Sequence, residues 1–216
     1  QHRPTATSGL LAVGAADREV RAALADVDAP PAQSLDRELA RYAAFRGAQA
    51  RHGRDWRSWP SGPRHGRLRT DDIDRDEARF HQVAQSLARR QVSHVRERLG
   101  AIEVRLGLDL AVGVHPQGYD VWSRQELFAE AMVVGAPPDA GFPTGQSWGF
   151  PPLLPGASRH AGHAYVAASV AHQAGVAGVL RIDHVMALSR LYWIPRGMDL
   201  DQGTYVRYPR DELFAV

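Results

Sequence analysis

The spacing of apolar residues along this chain changes period partway through. Over residues 34–52, Leu35, Leu39, Tyr42 and Phe45 recur every three or four positions, which is one face of an α-helix. A longer run follows the same rule. Phe80, Val83, Ala84, Leu87, Ala88, Val92, Val95 and Leu99 share a face, and Gly100 ends it. Thr70 is predicted to cap this second helix, with Asp71 and Asp72 in the first turn, where carboxylates meet the positive end of the helix dipole. Between the helices, residues 55–69 are dense in Trp, Pro, Gly and Arg and read as a loop. Ahead of them lies an Ala/Asp/Arg-rich lead-in, up to about Pro31, with room for one short helix.

Beyond Gly100 the pattern becomes that of strands. Residues 104–114 are apolar apart from Arg105, Gly107, Asp109 and Gly113, and residues 176–183 form a second such run. Both are predicted as buried strands. Residues 158–175 read as one helix with Gly175 at its end. Residues 135–156 carry Pro and Gly without periodicity and are predicted as a long loop, which compact domains usually keep for function. The expected organisation is a helical lead-in and subdomain over residues 1–100, then an α/β segment over residues 101–216.

Composition narrows the function classes. Apolar residues at 44% and charged residues at 23% are enough for a core and argue against disorder. The pI of about 9.3 overstates basicity, because all 26 basic residues are arginine and the net charge is only +2. They are spread from Arg3 to Arg210 among the acids, so no nucleic-acid partner is expected. The absence of cysteine excludes disulfides, thiolate metal sites and a cysteine nucleophile, and fits a reducing, cytoplasmic setting. The most apolar stretch, residues 161–180, contains His163 and His172 and reads as a buried or half-buried helix, not a membrane span. His160 and His163 have the spacing of metal ligands on a helix, but no third ligand is evident, so they read as a surface pair.

The chemistry-bearing residues sit where the strands end. Leu180-Arg181-Ile182-Asp183-His184 puts an arginine and a carboxylate on one side of a strand, two positions apart. Such a pair orients a carboxylate for nucleophilic work, and it also describes a structural ion pair. Asp109 holds a similar position on the earlier strand. Asp120, Trp122, Asp139, Gln146 and Trp148 follow on loops, supplying the flat apolar surfaces and polar forks that a sugar site needs.

Five motifs in order then carry a resemblance. They are Asp109-Leu110-Ala111-Val112-Gly113-Val114 with Tyr119-Asp120-Val121-Trp122; Gly135-Ala136-Pro137-Pro138-Asp139 with Gly145-Gln146-Ser147-Trp148-Gly149-Phe150-Pro151-Pro152; Arg181-Ile182-Asp183-His184; Leu191-Tyr192-Trp193-Ile194-Pro195; and Gly203-Thr204-Tyr205-Val206-Arg207-Tyr208-Pro209. Together they resemble the 4-α-glucanotransferases, glycoside hydrolase family 77. The resemblance implies a segment of a (β/α)₈ barrel with a helical insertion, acting on α-1,4-glucans without metal or cofactor. It also implies roles: Asp183 as nucleophile, Arg181 as its orienting partner, and Asp109, Asp120, Trp122, Asp139, Gln146, Trp148 and His184 as substrate contacts.

The same resemblance implies an acid in a Gly/Ala-Glu-Asp-Leu-Gly segment, and none occurs here. Asp211 and Glu212 belong instead to a stretch that resembles the one preceding that strand. A full barrel takes about 200 residues or more, so these residues are expected to form an internal piece, inactive by itself. Two alternatives come from other classes. One is a non-catalytic glucan-binding or scaffold protein on the same fold. The other is an α-amylase-type hydrolase, which would lack the GAPPD and GQSWG loop.

Overall fold

The computed structural model describes residues 13–28 and 36–216. Two compact units divide the chain, residues 1–92 and 93–216. The predicted helix start at Ser34 and the face residue Leu35 lie outside the described residues.

In the first unit, α1 (Val13–Ala25) is followed by α2 (Arg37–His52), α3 (Ser61–Arg64) and α4 (Arg75–Gly100), which continues into the second unit. Asp36 caps α2, its side chain accepting from the Glu38 N–H at 3.1 Å. The buried stripe of α2 is Leu39, Ala43 and Gly47, with Phe45 and Ala48 beside it. The small residues let neighbours come close. A β-carbon on Gly47 would meet the Asp74 carbonyl at 2.6 Å, and Gly47 itself accepts from the Asp74 N–H at 3.1 Å. Residues 55–69, predicted as a plain loop, bury Trp56 and Trp59, and the Trp59 indole donates to the Gly53 carbonyl at 2.8 Å.

The cap of α4 differs from expectation. Asp74, not Thr70, accepts from the Glu77 N–H at 2.9 Å. Thr70–Asp72 close a separate 3₁₀ turn, fixed by Asp72 accepting from the Arg69 N–H at 2.8 Å. Along α4, Val83 is buried, Phe80, Ala84, Leu87, Val92 and Leu99 are half-buried, and Val95 is exposed.

The second unit holds two sheets. β1 (Gly107–Leu110) and β4 (Val179–Ile182) pair in parallel, with Asp109 opposite Arg181, and α7 (Ala164–Ala174) packs against both. Neither strand is buried as predicted, and Val179 and Ile182 are 47% and 37% exposed. A parallel strand becomes buried only when both faces and both edges are covered.

The second sheet was not foreseen. β2 (Met132–Ala136), β3 (Gln146–Ser147), β5 (Arg190–Pro195) and β6 (Thr204–Arg207) run antiparallel in the order β3-β2-β5-β6. The predicted loop at 135–156 therefore contains a strand pairing, Gly135↔Ser147 and Ala136↔Gln146. One face of the sheet buries Val134, Leu191 and Trp193 with Tyr208 and Leu213, the last on α8 (Arg210–Phe214). The other buries Val133, Tyr192 and Ile194. Alternation along β5 explains the division, since odd positions face one way and even positions the other.

The predicted single helix at 158–175 is broken into α6 (Pro155–His160) and α7. Gly162 and His163 take positive φ values of 59° and 54°, which a continuous helix excludes. The last short helix, α5 (Tyr119–Ser123), follows β1.

Candidate active site

The C-terminal ends of β1 and β4 bring three charged side chains together. Parallel register sets Asp109 beside Arg181, and one guanidinium nitrogen donates to Asp109 Oδ2 at 2.8 Å. The other terminal nitrogen reaches Asp183 Oδ1 at 3.3 Å. Arg181 is thus a bridge, held firmly by Asp109 and more loosely by Asp183. The side chains are 70%, 52% and 45% exposed, so the pairing is a matter of aim more than of stability. Asp183 continues the ladder, its N–H donating to the Leu110 carbonyl at 3.0 Å. The chain then turns sharply: His184 is left-handed, φ 47° and ψ 57°, and opens the 3₁₀ turn 185–188. A non-glycine residue in this region is strained, and such residues cluster at functional sites.

The β2–β3 segment supplies the second half of the site. The Trp148 ring stands edge-on to His184 at 4.9 Å, and the Trp148 indole donates to Gln146 Oε1 at 3.3 Å. Gln146, Trp148, His184, Asp183, Arg181 and Asp109 therefore form one continuous run of neighbours.

The remaining predicted residues are placed differently. Asp120 accepts from the Tyr165 hydroxyl at 3.2 Å, and burial, reinforced by that carboxylate, pushes the Tyr165 phenol up. Trp122, at 3% exposure, lies in the core of this unit. Asp139 serves its own loop, accepting from the Gly141 and Phe142 N–H groups at 2.7 Å each.

Two features escaped sequence reading. Gly113, just past β1, leaves room for Phe150, whose ring would lie 2.2 Å from a β-carbon there. Phe150 also sits beside Trp148, centroids 6.2 Å apart, so Gly113 helps to seat the Trp148 segment. The signal was a glycine inside an apolar run, where close approach of a neighbour is a standard reason. The other feature is a buried histidine. His163 is 6% exposed, not a surface residue as predicted. It bonds Ser158 Oγ at 2.9 Å and Glu212 Oε2 at 3.1 Å. His163, and with it Arg159, holds the Glu212 carboxyl below the usual carboxylate range. The trio looks like a hydrolase triad, but Ser158 is 3% exposed and out of reach of a substrate. It anchors α8 to the α6–α7 corner. Among the described residues no group of three or more His, Cys, Asp or Glu is placed to hold a metal. No helix among them is long and apolar enough to cross a membrane.

A family model described as 4-alpha-glucanotransferase matches residues 32–216. The chain belongs to the 4-alpha-glucanotransferase family. It is 38% identical to the 4-alpha-glucanotransferase of Mycobacterium tuberculosis (strain H37Rv), over 91% of this chain and 30% of that protein. It is 36% identical to that of Haemophilus influenzae, over 76% of this chain and 23% of that one. The crystal structure of amylomaltase from Corynebacterium glutamicum superposes with a TM-score of 0.72 at 26% identity, covering 93% of this chain and 29% of its own. An amylomaltase from Streptococcus agalactiae, solved in complex with acarbose, shares the fold with a TM-score of 0.73. The chain thus spans about 30% of the length of the first of these relatives.

Proposed function

We propose that this chain is the nucleophile-bearing part of a cytoplasmic 4-α-glucanotransferase that moves α-1,4-linked glucan segments between maltodextrins. Residues 1–100 would be the helical lead-in and subdomain, and residues 101–216 a partial (β/α)₈ barrel. The observation that carries the reading is the Asp109–Arg181–Asp183 bridge at the C-terminal ends of adjacent parallel strands, where barrel enzymes keep their catalytic groups.

Asp183 attacks the anomeric carbon of the donor glucan and forms a covalent glycosyl-enzyme intermediate. A second carboxylic acid, about 5 Å away in retaining enzymes, protonates the departing oxygen. That acid belongs to sequence outside these 216 residues, which is why the chain by itself is inactive. The 4-hydroxyl of an acceptor glucan then gives its proton to the same carboxylate and attacks the intermediate from the face opposite Asp183. Configuration is retained and Asp183 is freed. Arg181 keeps Asp183 aimed, and Asp109 keeps Arg181 in place. Trp148, Gln146 and His184 lie beside the nucleophile and contact the sugar, and Asp120 and Asp139 hold the surrounding loops.

The test is Asp183→Asn in the full-length protein. The amide cannot attack, so transfer from maltotriose should fall about 10⁴-fold or more, with maltodextrin affinity changed no more than a few fold. A variant retaining a tenth of the activity would remove Asp183 from the role. Wild-type protein that binds maltodextrins without transferring would favour the non-catalytic alternative.

A further inference from the structure

We propose that the antiparallel sheet carries a phosphate-binding site, built from Arg190, Arg207 and Tyr205, that takes the phosphate monoester of a sugar. Arg190 and Arg207 stand directly opposite each other on β5 and β6. The Tyr208 N–H donates to the Ser189 carbonyl directly across from it, so the next pair inward, Arg190 with Arg207, is a non-hydrogen-bonded one. At such pairs the side chains of an antiparallel ladder come closest. Like charges placed there repel and weaken the sheet. Both arginines are exposed, and among the described residues neither has a carboxylate within ion-pair distance.

Arg190 is also preorganised. The Arg190 guanidinium lies over the Tyr205 ring, 4.9 Å from its centroid, and Tyr205 packs edge-on against the buried Tyr192 at 5.3 Å. An arginine stacked in this way is held with less freedom to lose on binding. Two unneutralised guanidiniums call for two negative charges on one small group. A phosphate monoester carries close to two at neutral pH, with several acceptor oxygens for planar forks. A single carboxylate would leave one arginine uncompensated.

The location separates this site from the candidate active site. Arg190 and Arg207 share the sheet face of Tyr192 and Ile194, whereas Trp148 packs with Leu191 and Trp193 on the opposite face. A ligand here would therefore act beside the transfer reaction and not in it. The phosphate part stands on the arginine pair alone; the sugar part rests on the glucan-transferase reading.

Titration calorimetry and thermal unfolding of the full-length protein test both parts, with glucose 6-phosphate, inorganic phosphate and maltotriose as probes. Glucose 6-phosphate should bind, raise the melting temperature and lose affinity as salt rises. Arg190→Gln with Arg207→Gln should weaken it at least ten-fold while leaving transfer from maltotriose unchanged. Tyr205→Ala should weaken it several-fold, and Tyr205→Phe should not. Without ligand the double variant should melt no lower than wild type, because a repulsion has gone. A lower melting temperature would show that the arginines neutralise carboxylates of the folded protein, which overturns the proposal. So would glucose 6-phosphate binding that ignores the double substitution, or no binding at all. Equal affinity for inorganic phosphate would overturn the sugar part. Active enzyme without phosphate binding defeats this proposal and spares the catalytic reading; phosphate binding without transfer does the reverse.

Discussion

Arg181 has two carboxylate partners at unequal distances, 2.8 Å to Asp109 and 3.3 Å to Asp183. In the mechanism proposed above, that inequality makes Asp109 the anchor and Asp183 the group being aimed. Lysine would keep the charge but has one ammonium in place of a planar fork, so it cannot hold both geometries at once. Arg181→Lys should therefore lower kcat by about 100-fold, the scale of a misplaced reacting group, with KM nearly unchanged. Asp109→Asn should follow it more mildly, and the double variant should be little worse than Arg181→Lys, because both act through one contact. Steady-state kinetics on maltotriose in the full-length protein decide this. Additive losses would mean that Asp109 meets the substrate independently. The Arg-x-Asp spacing was legible in the sequence because a strand has a fixed period of two. The part played by Asp109 was not, since it depends on the register of a strand some seventy residues away.

At the scale of elements, the Trp148 segment depends on Gly113. Alanine there would drive a methyl group into the Phe150 ring at 2.2 Å. The expected cost of such overpacking is about 1–3 kcal/mol, together with a loss of transfer beyond what stability explains, because Phe150 neighbours Trp148. Phe150→Leu added to Gly113→Ala should recover part of the stability, which chemical denaturation would show. No recovery would mean that Gly113 is needed for its backbone and not for the space it leaves. The elements also show where sequence reading stopped. The α4 helix was legible because eight apolar residues repeat its period. β2, β5 and β6 were not, although Val134 and Ile194 are among the most buried residues. The runs of β2 and β5 are short and largely apolar on both faces, and β6 is only four residues ending in Arg207, so no period of two marks them. The α6–α7 break was hidden for another reason: it is enforced by His163 bonding Ser158 and Glu212, the latter far along the chain.

At the scale of the whole molecule, the first unit contains a partly buried ionic cluster that ties stability to pH. Arg21 grips Glu77 through two bonds of 2.7 and 3.1 Å, and Glu77 accepts from His81 at 3.0 Å. His81 is enclosed by Tyr42 and Phe80 and is 8% exposed. Burial, helped by the nearby Arg46 charge and opposed by Glu77, lowers its proton affinity below the ordinary 6.5. The unfolded chain then binds the proton more readily, so stability should decline as pH falls below about 6.5. Glu77, held low mainly by Arg21, should add a second loss below 4.5. His81→Gln keeps a hydrogen-bond donor but cannot be protonated, so it should flatten the first decline and leave the second. Denaturation midpoints across this pH range check it, and an unchanged slope in the variant would locate the dependence elsewhere. A further expectation concerns the chain by itself. The 216 residues as expressed alone should yield no glucose or longer maltodextrins from maltotriose, since removal of a general acid alone costs about 10² to 10⁴ in rate. Product formation would reveal an acid within this sequence.

What the sequence determined by itself is what depends on neighbours along the chain: the α2 and α4 helices, the strand-end Arg181–Asp183 pair, and the motifs that mark the family. These rest on local periods and on residues within a few positions of one another. Tertiary structure alone decided the second sheet, the break at His163, the burial of Trp122, the anchoring of Arg181 by Asp109 and the confrontation of Arg190 with Arg207. Each of these is a relation between segments far apart in sequence, fixed by strand register and by close packing, and neither quantity is carried by any single stretch of residues.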